Sequence, residues 1–131
     1  MDVQGLHHVA LRVTDMDRST GFYRDVLGFD VQSPADGLAF FSAGGCLIVL
    51  EPPLEGTPGG DRFSEYRIGI DHLAFAVTDR ADLEAVVDAV RTAGVDTAGI
   101  EVDPLLNKEY VCFRDPDNVQ WEFYGVEPSG S

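Results

Sequence analysis

Two runs of the chain alternate between apolar and polar or small residues in the same way. Residues 8–15 read His-Val-Ala-Leu-Arg-Val-Thr-Asp, and residues 72–79 read His-Leu-Ala-Phe-Ala-Val-Thr-Asp. Five of the eight positions are identical, at an offset of 64 residues, which marks an internal repeat. Period-2 alternation predicts a strand with one covered face and one open face. Each strand runs into a helix, predicted over residues 16–27 and 80–93. Asp15 and Asp79 suit the helix starts, and Gly28 and Gly94 suit the left-handed position after the ends. In the second helix Leu83, Val86, Val87 and Val90 recur at helical spacing.

Further strands are expected over residues 28–31, 38–43, 46–51, 94–97, 110–114 and 119–124. Asp115-Pro116-Asp117-Asn118 joins the last two, in strong turn chemistry. The pattern β-α-β-β-β therefore occurs twice. The expected fold class is α+β, with two tandem βαβββ modules forming an open, curved sheet cleft. The expected organisation is a single domain over residues 1–131. Module one covers about residues 5–52, a Pro- and Gly-rich connection 52–68, module two 69–125 and a frayed tail 126–131.

The alternation also sorts side chains. Val9, Leu11 and Val13 share one face, as do Leu73, Phe75 and Val77, and bulky apolar rows belong under a helix. His8, Ala10 and Arg12, with His72, Ala74 and Ala76, take the opposite, cleft-facing side. His7 has the other parity and is not counted. In the last strand Trp121 and Phe123 form the apolar row, and Gln120, Glu122 and Tyr124 the open one. A carboxylate between Trp121 and Phe123 is costly to bury uncompensated, and a metal ion is one good compensation. Two imidazoles and a carboxylate, His8, His72 and Glu122, suit a single divalent Fe, Zn, Mn, Ni or Co ion.

Composition narrows the partners. The chain has 131 residues, enough for one ordinary core. Nine basic against 23 acidic residues give a formal charge of −14, which argues against nucleic acid and anionic membrane surfaces. The acidity serves solubility or draws a cationic ligand into the cleft. No apolar run is long enough to span a membrane, and the first residues lack a basic flank followed by an apolar run, so the expected location is the cytoplasm. Cys46 and Cys112 show no CxxC spacing, and buried free thiols are expected.

His8-Val9-Ala10-Leu11-Arg12-Val13, Phe22-Tyr23-Arg24-Asp25-Val26-Leu27-Gly28-Phe29, Asp71-His72-Leu73-Ala74-Phe75 and Arg114-Asp115-Pro116-Asp117-Asn118 with Glu122 together resemble the vicinal oxygen chelate superfamily. That superfamily includes glyoxalase I, extradiol dioxygenases, fosfomycin-modifying enzymes, methylmalonyl-CoA epimerase and the bleomycin-resistance proteins, and the likeness spans about residues 5–125. The resemblance implies that His8, His72 and Glu122 are metal ligands, and that Glu122 also moves protons in a catalytic role. Glyoxalase I and the epimerase have a fourth ligand, Glu or Gln, on the fourth strand. Here the repeat mate of Glu122 is read as Ile48, with Leu47 or Val49 reached by a one-residue slip. None is a ligand, which points to the three-ligand arrangement of the dioxygenases or fosfomycin enzymes. Cys46 is expected to share the cleft face with Ile48.

Arg12, Ile48, Tyr110, Gln120 and Tyr124 are the remaining expected cleft residues, with Arg12 or Tyr110 orienting a polar substrate group. The resemblance implies either of two functions. One is a metal-dependent enzyme (a lyase or isomerase, or a ring-cleaving dioxygenase) acting on a small substrate chelated through neighbouring oxygens. The other is a binding protein that sequesters an antibiotic or metabolite. It also implies a homodimer, with His8 from one chain and His72 and Glu122 from its partner.

Overall fold

The structure, a computed structural model, describes residues 1–34 and 37–128. The chain divides into two compact units, Met1–Arg62 and Phe63–Ser131, with the division inside the predicted connection. Each unit carries its own small mixed sheet.

The first unit contains β1 (His8–Arg12), α1 (Met16–Gly21), β2 (Ala39–Ala43) and β3 (Cys46–Glu51). Its sheet has the order β1-β3-β2, with β1 parallel and β2 antiparallel to β3. The Asp15 carboxylate caps α1 by accepting from the Arg18 N–H at 3.0 Å. The predicted helix over 16–27 changes character part-way. Residues Phe22–Val26 form a π-helical turn, closed by Leu27 N–H donating to the Phe22 carbonyl at 3.1 Å. This widened turn buries Phe22 and Tyr23, and the Tyr23 ring stacks on Phe41 at 5.3 Å.

The second unit contains β4 (Leu73–Ala76), α2 (Arg80–Thr92), β5 (Glu101–Asp103), β6 (Lys108–Arg114) and β7 (Gln120–Val126). Its sheet has the order β4-β7-β6-β5. Asp79 caps α2 through the Ala81 N–H at 2.9 Å, and Gly94 takes φ +77° after it. The apolar stripe Leu83, Val86, Val87 and Val90 is buried, as predicted. Phe75 and Trp121 lie face to face at 4.3 Å in the core. The Asp115–Asn118 turn forms as expected. Asp115 Oδ1 accepts from the N–H groups of Asp117 and Val119, both at 2.9 Å, and Asn118 adopts φ +72°.

Several sequence expectations need correction. No strand forms over 28–31: Phe29 N–H donates back to the Tyr23 carbonyl and Val31 N–H to Phe29, so the backbone is spent locally. Only Gln32 makes a bridge, to Phe40. No strand forms over 94–97 either. Thr97 Oγ1 donates to the Cys112 carbonyl at 2.7 Å and accepts from Gly99 N–H, turning the chain so that the strand appears later, as β5. The predicted tail begins too early, because Val126 ends β7 with 4% exposure. Residues 129–131 of that tail lie outside the described residues.

Candidate metal centre

The strand ladders decide which side chains share a face. Paired residues on neighbouring strands point the same way. In the second unit Ala74 pairs with Glu122, and Glu122 with Cys112. The next row is Ala76, Tyr124, Tyr110 and Glu101, and on the other side Gln120 pairs with Arg114. The opposite face carries Phe75, Trp121, Phe123, Val111 and Phe113, all buried. Ala74 and Ala76, beside Glu122 and Tyr124 in these rows, are small and exposed.

His72 stands one residue before β4 and continues the Ala74–Ala76 row. Its Nε2 lies 3.5 Å from Glu122 Oε1, and the Glu122 side chain is only 12% exposed. The other ring nitrogen, Nδ1, lies 2.6 Å from Asp71 Oδ1. Two ligands about 2.1 Å from a tetrahedral ion stand about 3.4 Å apart, so the His72–Glu122 span fits two corners of such a site. The Asp71 contact on the far nitrogen is the usual support of a metal-bound histidine. His72 and Glu122 therefore fit two of the ligand positions of a metal site. Among the described residues, no group of three or more His, Cys, Asp or Glu side chains is gathered to hold one.

His8 belongs to the first unit. It opens β1 on the exposed face with Ala10 and Arg12, and its Nδ1 lies 2.9 Å from Nδ1 of His7. The ladder corrects the expectation for the neighbouring strand. Val9 pairs with Ile48 and Leu11 with Leu50, whereas Ala10 pairs with Val49 and Arg12 with Glu51. Ile48 thus lies on the covered face, 4% exposed, and is no cleft residue. Cys46 has the parity of Ile48 and leaves the open face with it. The repeat mate of Glu122 is Val49, since Ala10–Val49 corresponds to Ala74–Glu122. That position is aliphatic as well. Glu51 is on the open face, where it pairs with Arg12 at 3.2 Å. Arg12 also donates to the Pro52 carbonyl at 3.0 Å.

The remaining expected residues lie on the open face of the second sheet. Tyr124 Oη donates to Asp103 Oδ2 at 2.7 Å, and this bond, with burial, pushes its phenol up to about 12. The Tyr110 ring lies 5.8 Å from the Tyr124 ring. Its phenol is raised by burial first and then by the charges of Glu101 and Glu122. Gln120 Oε1 accepts from Arg114 at 3.1 Å. Arg114 also grips both oxygens of Glu65, at 2.9 and 3.0 Å, and holds that carboxyl below its ordinary range. Sequence reasoning missed Asp71, Asp103, Arg114 and the open-face position of Cys112. Asp71 has a legible signal, as the repeat mate of His7 beside a candidate ligand, and Cys112 has one in sharing the strand parity of Tyr110. The Cys112 thiol is raised by burial and by Glu122.

The pattern of the Glyoxalase/Bleomycin resistance protein/Dioxygenase superfamily matches residues 5–123. The chain belongs to this superfamily. Among similar proteins, the uncharacterized protein YaeR of Escherichia coli is 33% identical over 95% of this chain and 98% of its own. The metallothiol transferase FosB of Staphylococcus epidermidis is 30% identical over 93% of this chain and 84% of its own. The crystal structure of a glyoxylase/bleomycin resistance protein/dioxygenase domain from Frankia sp. EAN1pec superposes with a TM-score of 0.83. It is 30% identical and covers 94% of this chain and 98% of its own. Membership of the superfamily accounts for the α+β architecture of tandem modules.

Proposed function

We propose that the protein holds one divalent metal ion through His8, His72 and Glu122 and acts with it on a small organic molecule bound through neighbouring oxygens. The observation that carries this reading is the His72 Nε2–Glu122 Oε1 pair on an open sheet face, with Asp71 on the far ring nitrogen. When bound, the metal supplies Lewis-acid stabilisation of negative charge on a chelated oxygen. Around it, the protein's own groups divide the work. Tyr124 keeps its proton up to a pH of about 12, and Tyr110 and Cys112 are also shifted toward their protonated forms. Tyr110 and Cys112 are donors available to a ligand on this face, while the Tyr124 proton is held by Asp103. Glu122 is the carboxylate in the central row, and its oxygens are the ones placed to take up a proton there.

The name of FosB, a metallothiol transferase, makes metal-dependent thiol transfer the first reaction to assay, ahead of glyoxalase-like and dioxygenase-like chemistry. The protein is further proposed to act as a homodimer in which His8 of one chain serves the site holding His72 and Glu122 of the partner. A second reading has a specific observation in its favour. Glu101, Asp103 and Glu122 surround two tyrosines on the same open face, in a chain of charge −14, and that face suits sequestration of a basic aromatic compound.

The deciding measurement is metal content after reconstitution and gel filtration, with hydroxamate binding followed in parallel. The wild-type protein should retain about one ion per chain, and His72→Ala should retain none. Hydroxamate binding should vanish with EDTA. Retention of a full complement of metal by His72→Ala refutes the ligand assignment. Equal hydroxamate binding with and without metal favours sequestration.

A further inference from the structure

All three histidines of the chain stand at two repeat-equivalent places. His7 precedes His8 and Asp71 precedes His72, again at an offset of 64. In both units the preceding residue meets Nδ1 of the histidine that follows, His7 at 2.9 Å and Asp71 at 2.6 Å. Neither His7 nor Asp71 lies within a strand, since β1 begins at His8 and β4 at Leu73. The alternation of faces therefore does not bind them, and a side chain of the wrong parity reaches its neighbour.

We infer that Asp71 and His7 are positioning residues that hold His72 and His8 in the tautomer whose Nε2 carries the lone pair. The inference rests on the metal reading above for its purpose, though not for its geometry. A neutral imidazole carries one proton, and a carboxylate only accepts. Asp71 Oδ1 against His72 Nδ1 therefore places that proton on Nδ1, because a bare Nδ1 would set two lone pairs against each other. Nε2 also faces a carboxylate, Glu122, but at 3.5 Å rather than 2.6 Å, so the single proton of the neutral ring goes to Nδ1 and Nε2 is left unprotonated. In the first unit two ring nitrogens share one proton. Donation from His8 Nδ1 to His7 Nδ1 leaves His8 Nε2 free, whereas the reverse blocks it. Asp71 enforces its tautomer with a full charge, and His7 does so with a neutral acceptor that can also donate. The support is thus strong for His72 and weaker for His8.

The test is long-range proton–nitrogen NMR of the full chain with labelled histidine, at a pH where the rings are neutral, paired with zinc affinity by chelator competition. Only three ring systems appear, and single substitutions assign them. In the metal-free wild type His72 should show the Nδ1–H form. Asp71→Ala should shift His72 toward the Nε2–H form and weaken zinc binding about 10- to 100-fold. Asp71→Asn, which keeps an acceptor, should restore the tautomer and recover part of the affinity. His7→Ala should cost a few-fold at most, and His7→Asp should tighten binding. An Nε2–H form of His72 in the wild type overturns the inference, as does unchanged zinc affinity in Asp71→Ala. If the tautomer is as stated but no zinc binds, the orienting role survives and the metal reading falls.

Discussion

In the first unit Ala10 pairs with Val49, and in the second Ala74 pairs with Glu122. The two pairs hold the same place in parallel ladders, each beside a strand introduced by histidine and followed by an Asp-capped helix. One pair ends in a carboxylate and the other in an aliphatic side chain. The supports differ in the same direction, His7 against Asp71. So do the salt bridges: Arg12 is satisfied by Glu51 within its own sheet, while Arg114 reaches Glu65 in the segment that leads to His72. Repetition has preserved the frame, and the polar equipment sits mostly on one copy. Ladder geometry and chemical role can therefore be varied separately.

The largest effect should come from mistaking the register. Ile48→Glu puts a carboxylate on the covered face of the first sheet, where Ile48 is 4% exposed. It should cost more than about 3 kcal/mol or prevent folding, read by urea denaturation. Val49→Glu, one residue along, should fold and give the first unit the arrangement of the second. It should tighten metal binding by roughly tenfold or more while weakening hydroxamate binding, since a new ligand takes a position the chelator needs. If the two variants exchange these behaviours, the register is wrong.

A smaller effect concerns the Tyr124–Asp103 bond, for which the first sheet has no equivalent among the described residues. Followed by tyrosinate absorbance, one of the four tyrosines should ionise only near pH 12. Asp103→Ala should return it toward the ordinary value of about 10. The sign for stability follows. The folded phenol binds its proton more tightly than the unfolded one, so this contribution is complete below about pH 10. It is lost as pH rises through about 12. The smallest expected effects are those of the helix caps. Asp15→Ala and Asp79→Ala should each cost about 1 kcal/mol, and a much larger loss at either would mean that the aspartate does more than cap.

Much of this was legible in the sequence, for particular reasons. Strand parity was readable wherever bulky apolar residues alternate with small or polar ones, as in β1, β4 and β7, and it singled out His72 and Glu122. In β3 the run Cys-Leu-Ile-Val-Leu is apolar at every position, so no alternation marks a face, and the sequence alone puts Ile48 on the wrong one. Only pairing with β1 resolves it. Residues 94–97 look strand-like by composition, but a threonine hydroxyl takes over the local hydrogen bonding there. β5, Glu-Val-Asp, has no hydrophobic signature because it forms an edge. The pairing of Asp71 with His72 was hidden by the assumption that neighbouring side chains diverge, which fails just outside a strand.

The pleat of the second sheet has a consequence for how such a protein can change over generations. Phe75, Val111, Phe113, Trp121 and Phe123 are committed to the core, whereas residues 74, 76, 110, 112, 114, 120, 122 and 124 form a separate alphabet on the other side. A lineage can rewrite that alphabet one letter at a time without touching the aromatic core, at the cost only of bonds made on the open face itself, such as Tyr124–Asp103. Gly125 interrupts this freedom. Its backbone takes φ +118°, and a Cβ there would stand 3.2 Å from the Val77 carbonyl. At the end of a strip open to revision, that one position is closed to almost every other residue.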